Sequence, residues 1–167
     1  MVDLKKYYAT KDLESYRTEM YYHNLTEAMN QITRVKAIRR FFRKVVTPNA
    51  KVLDLGCGSG NDIINLSNEF QKYNASFVGV DLGKELVKKL NLLEIKNTKF
   101  VNGDIENVDL KQKFDIVLEL EVAEHLEHFD SNLEVIKKHM KPNSYLIMST
   151  PNDKYLLKDI LFLFKGF

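Results

Sequence analysis

The residues of this sequence that could do chemistry begin with a glycine-rich turn and the acid at the end of the next apolar segment. Gly56, Gly58 and Gly60 alternate directly after Lys51–Leu55, and Asp81 ends the following apolar segment. Glycine lets the backbone approach a ligand closely and adopt angles that a Cβ atom forbids. An acid at the end of the neighbouring strand accepts ribose hydroxyl protons in nucleotide-binding folds. The pair predicts a site for an adenosine-containing ligand.

The spacing of the glycines and a nearby acid narrow the choice of ligand. A dinucleotide fingerprint needs its third glycine at position 61, which is Asn61, so a nicotinamide dehydrogenase is disfavoured. Asp54 lies inside the segment just before the turn, where a carboxylate would repel a pyrophosphate and attract a cation. The ligand that combines a cation with adenosine is S-adenosylmethionine.

A second cluster of polar residues is formed by Glu121, Glu124 and His125. If this segment is helical, their i, i+3, i+4 spacing puts them on one face. Two carboxylates and an imidazole could then bind a divalent metal such as Mg²⁺. His125 could instead act as a base or position the acceptor, with Glu124 beside it, or the group could be structural. All three interpretations stay open at this point.

The elements that must position these residues alternate between strand and helix. Apolar periodicity predicts helices near 25–46, 61–70, 83–93 and 133–140. It predicts five strands, at 51–55, 76–81, 99–101, 114–118 and 145–148. Such alternation favours an α/β fold with a mostly parallel, doubly wound, Rossmann-like sheet covered on both faces.

The segment Val52–Gly60 closely resembles motif I of class I S-adenosylmethionine-dependent methyltransferases. Later segments resemble further motifs of that family in the same order: 78–81, 103–105, 114–126 and 146–152. The segment 121–126 is most similar to ubiquinone-biosynthesis O-methyltransferases and other small-molecule O-methyltransferases, and also to small-RNA 2′-O-methyltransferases. In the ubiquinone and RNA groups, glutamates and a histidine near this place hold a metal.

This resemblance implies a set of cofactor contacts. The glycines would lie against the methionine part of S-adenosylmethionine, and Asp81 would hold the ribose. Asp104 would accept from the adenine amino group, Ile105 would pack on the ring, and Glu119 would lie beside the methyl group. The full implied set is Asp54, Gly56, Cys57, Gly58, Gly60, Asp81, Leu82, Asp104, Ile105 and Glu119.

The function that the resemblance implies is methyl transfer by in-line displacement to a hydroxyl of a small molecule, such as a quinone precursor or a sugar. Glu124 and His125 would be the catalytic residues, and Glu121, Glu124 and His125 the metal ligands. Two alternatives remain: an RNA 2′-O-methyltransferase, and a non-catalytic methyltransferase-like subunit that needs a partner.

The sequence divides into a helical leader at 1–50, a core at 51–152 and an apolar tail at 153–167 that is predicted to be a helix. The leader is expected to cover the cofactor, and its basic residues at 34–44 to form a solvated face or, alternatively, a patch for an anionic substrate or RNA. The family sheet has seven strands and ends in a hairpin that appears in no segment here. We therefore expect a fragment of a longer protein, or a sheet edge covered by a partner or a second copy.

Composition excludes several classes of protein. A net charge of +2 is too balanced to indicate nucleic-acid binding by itself, and one cysteine excludes an internal disulfide framework. No signal-peptide core follows Met1, and no apolar run reaches the length of a membrane span. These features favour a cytoplasmic protein with no transmembrane segment.

Overall fold

The computed structural model describes residues 4–10, 25–151 and 159–165 of the chain. Its helices in these ranges are α1 (Leu4–Thr10), α2 (Leu25–Val45), α3 (Asn61–Glu69), α4 (Lys84–Asn91) and α5 (Phe129–His139). Its strands are β1 (Lys51–Leu55), β2 (Ser76–Asp81), β3 (Thr98–Asn102), β4 (Phe114–Leu120), β5 (Met140–Pro151) and β6 (Asp159–Lys165).

These strands form one sheet in the order β3-β2-β1-β4-β5-β6. Strands β1 to β5 run parallel, and β6 pairs antiparallel with β5. One apolar layer joins the sheet to α2, α3 and α4, and a second lies on the side of α5. The predicted doubly wound, Rossmann-like α/β fold with five parallel strands is therefore confirmed. Its parallel strands bring their carboxyl ends to one edge, where ligands bind in such folds.

Helix α2 packs on the sheet through a few large side chains. Ile38 and Phe42 are fully buried, and the ring of Phe42 lies 4.8 Å from that of Phe70, centroid to centroid. On the polar side, Arg34 pairs with Asp62 at 3.1 Å, and Arg39 and Arg43 both pair with Glu69. Half of the basic residues at 34–44 are thus neutralised by α3, which favours the solvated-face interpretation.

The tail of the chain requires a correction. Residues 159–165 form a strand, where the sequence predicted an apolar helix over 153–167. The run Ile160–Phe164 has no polar residue from which a period could be read, and its β-branched and aromatic side chains suit a strand. The edge of β5 also offers unpaired backbone groups, which β6 uses along its whole length. The start of the predicted helix, at 153–158, lies outside the described residues.

No helix in the described part of the chain is long and apolar enough to cross a membrane. The division into leader, core and tail stays a prediction.

Candidate functional site

The glycine-rich turn is held at the carboxyl end of β1 by backbone hydrogen bonds. The amides of Gly56 and Cys57 both donate to the Val80 carbonyl at 2.9 Å. All three glycines of the turn have positive φ angles: 75° at Gly56, 49° at Gly58 and 73° at Gly60. A Cβ atom on Gly56 would lie only 2.6 Å from a methyl carbon of Val122. This turn therefore needs glycine for its angles and, at Gly56, for its close packing.

Asp81 lies at the end of β2 and ties the turn to the next loop. Its Oδ2 accepts from the Gly58 amide at 2.9 Å, and its Oδ1 accepts from the Gly83 amide at 2.8 Å. Burial raises the pKa of Asp81, and these two amides oppose that rise. Each carboxylate oxygen can accept more than one hydrogen bond, so both can still accept a hydrogen bond from a hydroxyl group. Asp81 is thus fixed with the acceptor capacity that a ribose diol needs.

Asp54 is a buried acid next to the turn. It is 3% exposed. Its pKa is raised above the usual value first by burial, then by the charge of Asp62, while Arg34 lowers it. The charges of Asp81 and Glu119 raise it further. Since these acids disfavour one another's ionisation, a cation bound among them would relieve the repulsion. This charge distribution fits a sulfonium ligand.

The segment after β3 contains Asp104 and Ile105. The Asp104 Oδ1 accepts from the Glu106 amide at 2.9 Å, and Ile105 is buried. The carbonyl of Leu82 accepts from the Asn102 side chain at 2.8 Å, which ties the loop after β2 to the end of β3. The Gly103 amide also donates to the Asp81 carbonyl at 3.0 Å, so this segment lies beside Asp81.

Lys5 is a residue of this region that sequence reasoning missed. Its ammonium donates to Asp104 Oδ2 at 3.0 Å and to Glu106 Oε2 at 2.8 Å. The hydrogen bond to Glu106 raises the pKa of Lys5 above its usual value, and Asp104 adds to the rise. Helix α1 is therefore anchored beside the predicted adenine segment. A pairing across 99 positions leaves no signal in the local sequence.

Cys57 has the environment of a packing residue. Burial raises the pKa of its thiol, and the charges of Asp54 and Asp81 add to the rise, so the thiolate is disfavoured. A Cβ atom on Gly79 would lie 2.8 Å from its sulfur. The thiol thus fills the space that Gly79 leaves open.

The segment after β4 departs from the predicted helical face. Glu121 adopts a left-handed conformation with φ of 56°, and only Ala123–His125 form a short 3₁₀ turn. Glu121 Oε1 accepts from the Ser149 hydroxyl at 2.6 Å, while Glu124 Oε1 lies 3.6 Å from His125 Nε2. Glu121, Glu124 and His125 therefore do not share one helical face, and the premise of the predicted metal site was wrong. No group of three metal-ligating side chains occurs in the ranges that the structure describes.

Glu119 is fully buried in β4, between Leu55 of β1 and Met148 of β5. Neither of its carboxylate oxygens has a hydrogen-bond partner of good geometry. Burial raises its pKa to about 7; the nearby Asn132 amide lowers it and the charge of Glu124 raises it. Contact with a cofactor methyl group, which the resemblance implied for Glu119, stays a prediction.

Comparison with known proteins places this chain in a family. A family model described as a methyltransferase domain matches residues 46–161, so the chain belongs to that family. Together with the sheet order and the glycine turn, this match makes the chain a class I S-adenosylmethionine-dependent methyltransferase by family and fold.

The most informative relatives are ubiquinone biosynthesis O-methyltransferases. The one from Pelagibacter ubique is 30% identical over 121 residues, covering 71% of this chain and 48% of the relative. The mitochondrial one from Schizosaccharomyces pombe is 34% identical over 106 residues, covering 60% of this chain and 37% of the relative. The plantazolicin methyltransferase BpumL, solved in complex with S-adenosylhomocysteine, superposes with a TM-score of 0.61 at 23% identity, covering 71% of this chain and 46% of that chain. The chain spans about half the length of the curated relatives that it matches.

Proposed function

We propose that this protein transfers the methyl group of S-adenosylmethionine to a hydroxyl group of a small molecule. The observation that carries the proposal is the joint geometry of the glycine turn and Asp81. The Gly58 amide donates to the Asp81 carboxylate. The glycine turn, which a ligand can approach closely, therefore lies next to the carboxylate that we propose as the acceptor for the ribose hydroxyls. The names of the relatives that are 30–34% identical support a hydroxyl as the acceptor.

When bound, S-adenosylmethionine supplies an electrophilic methyl group on a positive sulfur. The residues of this chain would hold it in four ways. The turn with Cys57 would contact the methionine part, and Asp54 would favour the positive charge. Asp81 would accept the ribose hydroxyl protons, with Leu82 beside it. Asp104 would accept from the adenine amino group, and Ile105 would pack on the ring.

Glu124 and His125 are the proposed catalytic pair. They lie on the turn that follows β4, at the carboxyl edge of the sheet, and Glu124 Oε1 lies 3.6 Å from His125 Nε2. A neutral imidazole would accept the proton of the acceptor hydroxyl as the oxygen attacks. The Glu124 carboxylate would stabilise the imidazolium that forms. Positioning of the hydroxyl in line with the methyl group would supply much of the remaining acceleration.

Two measurements test the proposal. Calorimetric titration with S-adenosylhomocysteine should show micromolar or tighter binding. A transfer assay with S-adenosylmethionine should then methylate phenolic quinone precursors or sugars and leave a short RNA unmodified. His125→Ala should lower turnover about a hundredfold or more with little change in cofactor affinity, while His128→Ala serves as the control. Methylation of RNA alone would contradict the small-molecule acceptor. Binding without transfer to any acceptor would favour the non-catalytic alternative.

A further inference from the structure

Helix α5 holds the segment that follows β3 at two places, two helical turns apart. Near the start of the helix, the side-chain nitrogen of Asn132 donates to the Ile105 carbonyl at 3.3 Å. At the last residue of the helix, Nε2 of His139 accepts from the Leu110 amide at 2.9 Å. Residues two turns apart lie on one face of a helix, so the segment runs along that face. His139 therefore fixes one end of the segment.

The two hydrogen bonds of the His139 ring determine which nitrogen carries the hydrogen. A carbonyl only accepts hydrogen bonds and a backbone amide only donates them. Nδ1 lies 2.7 Å from the Val135 carbonyl, so Nδ1 must carry the hydrogen. Nε2 faces the Leu110 amide, so it must be bare. His139 thus holds the segment only as a neutral imidazole with its hydrogen on Nδ1.

A second proton on this ring has no acceptor. His139 is 1% exposed, and the ring of Phe114 lies 6.3 Å from the imidazole, centroid to centroid. In the described part of the chain, neither ring nitrogen pairs with a carboxylate. A proton on Nε2 would set two donors against each other and would bury a positive charge without a counter-ion. Protonation of His139 must therefore break the bond to Leu110.

Acids on the elements packed around the ring already pair with lysine side chains. On the segment itself, Asp109 pairs with Lys111 and with Lys138 of α5. On β4, Asp115 pairs with Lys141 of β5. The positive charges in this region are those of Lys111, Lys113, Lys138 and Lys141. An imidazolium here would find each of these carboxylates taken by a lysine.

We propose that His139 is a positioning residue for the adenine-binding segment, which it holds as a neutral imidazole and releases when it gains a proton. Ile105, Val108 and Leu110 pack in one apolar layer, so movement at Leu110 is passed along the segment. Release would loosen Ile105 and the preceding Asp104, which are the proposed adenine contacts. Cofactor affinity should therefore fall as the pH falls. The inference rests on the proposed function of that segment.

The test compares wild-type protein with His139→Gln by calorimetric titration with S-adenosylhomocysteine between pH 7.5 and 5. The side-chain oxygen of glutamine can accept from the Leu110 amide at every pH, and titration of acids in the site is common to both proteins. Wild-type affinity should fall about two- to tenfold more than that of His139→Gln, the size of one hydrogen bond. His128→Gln, which replaces an exposed histidine just before α5, should keep the wild-type pH profile.

Two results of this titration would overturn the inference and leave the proposed function intact. One is a pair of parallel pH profiles for wild type and His139→Gln. The other is wild-type affinity for His139→Phe, which keeps a ring but has no acceptor and should bind weakly even at pH 7.5.

Nitrogen nuclear magnetic resonance of the wild-type chain provides a readout that needs neither a variant nor a cofactor. At pH 7.5, Nδ1 of His139 should carry the hydrogen and Nε2 should be bare. On acidification, the Leu110 amide signal should shift together with the ring signals. A hydrogen on Nε2 at pH 7.5, or a Leu110 signal that does not follow the ring, would overturn the inference. If wild type binds no S-adenosylhomocysteine at any pH, the proposed function fails, whereas this titration still decides whether His139 releases the segment.

Discussion

Two buried acids lie at the same edge of the sheet in contrasting surroundings. Asp81 receives two backbone amides, from Gly58 and Gly83, whereas Glu119 receives no hydrogen bond of good geometry. Burial raises the pKa of both. The amides counteract that rise at Asp81 and suit it to accept hydroxyl protons as an anion. Glu119 lacks such amides, and burial is the main cause of its raised pKa. Two acids at similar depth thus differ in how the fold satisfies their carboxylate oxygens.

The largest predicted effect comes from replacing Asp81, the acid that accepts two backbone hydrogen bonds. Asp81→Ala should weaken binding of S-adenosylhomocysteine about a hundredfold, because the ribose acceptors are lost and the Gly58 and Gly83 amides are left without their partner. Calorimetric titration measures the change. Asp115→Ala is the matched control, since Asp115 accepts from the Lys51 amide at the opposite edge of the sheet. Unchanged affinity for Asp81→Ala would remove the ribose assignment.

Replacement of Glu119, whose carboxylate oxygens have no hydrogen-bond partner, should instead stabilise the fold by an amount that depends on pH. Below the usual glutamate pKa of 4.5, Glu119 is protonated in both the folded and the unfolded chain. As the pH rises towards about 7, the unfolded chain releases the proton first, so wild type loses stability. Glu119→Gln should therefore gain about 2 kcal/mol relative to wild type between pH 4.5 and 7, and the gain should level off above pH 7. Urea unfolding at several pH values measures it, and a pH-independent difference would contradict the assignment.

The contact between the glycine turn and the segment after β4 is tested at Gly56. Gly56→Ala should lower the free energy of unfolding by about 1–3 kcal/mol, because its φ of 75° strains an L-residue and its Cβ would meet Val122. Adding Val122→Ala should recover only the part that comes from the clash. Gly83→Ala is the control, since φ there is −71° and the amide to Asp81 is kept. If Gly83→Ala were as costly as Gly56→Ala, the strain argument would be wrong.

The smallest predicted effect concerns Lys5. Asp104 Oδ2 already accepts from Lys5 and from the Asn107 side chain, so an adenine amino group would compete for that oxygen. Lys5→Met should therefore tighten binding of S-adenosylhomocysteine about two- to fivefold, in keeping with a partly exposed ion pair. Lys96→Met, at the other edge of the sheet, should have no effect. Weaker binding by Lys5→Met would show that Lys5 supports the cofactor instead of competing with it.

Local sequence patterns were sufficient to predict the five parallel strands of the sheet. The alternation of apolar segments predicted strands β1 to β5, and the sequence spacing predicted that the glycine turn and Asp81 lie together, because both depend on neighbours in sequence. Strand β6 was missed because a short apolar run has no period and its pairing with β5 decides its conformation. The left-handed conformation of Glu121 prevents the helix that was expected to contain Glu121, Glu124 and His125. The pairing of Lys5 with Asp104 depends on the complete fold.

A crystal structure of the chain with S-adenosylhomocysteine tests the central claim most directly. The account predicts that the adenosyl group lies over the glycine turn, with both ribose hydroxyls within hydrogen-bonding distance of the Asp81 carboxylate. An adenosyl group bound elsewhere, or a ribose that does not contact Asp81, would contradict it.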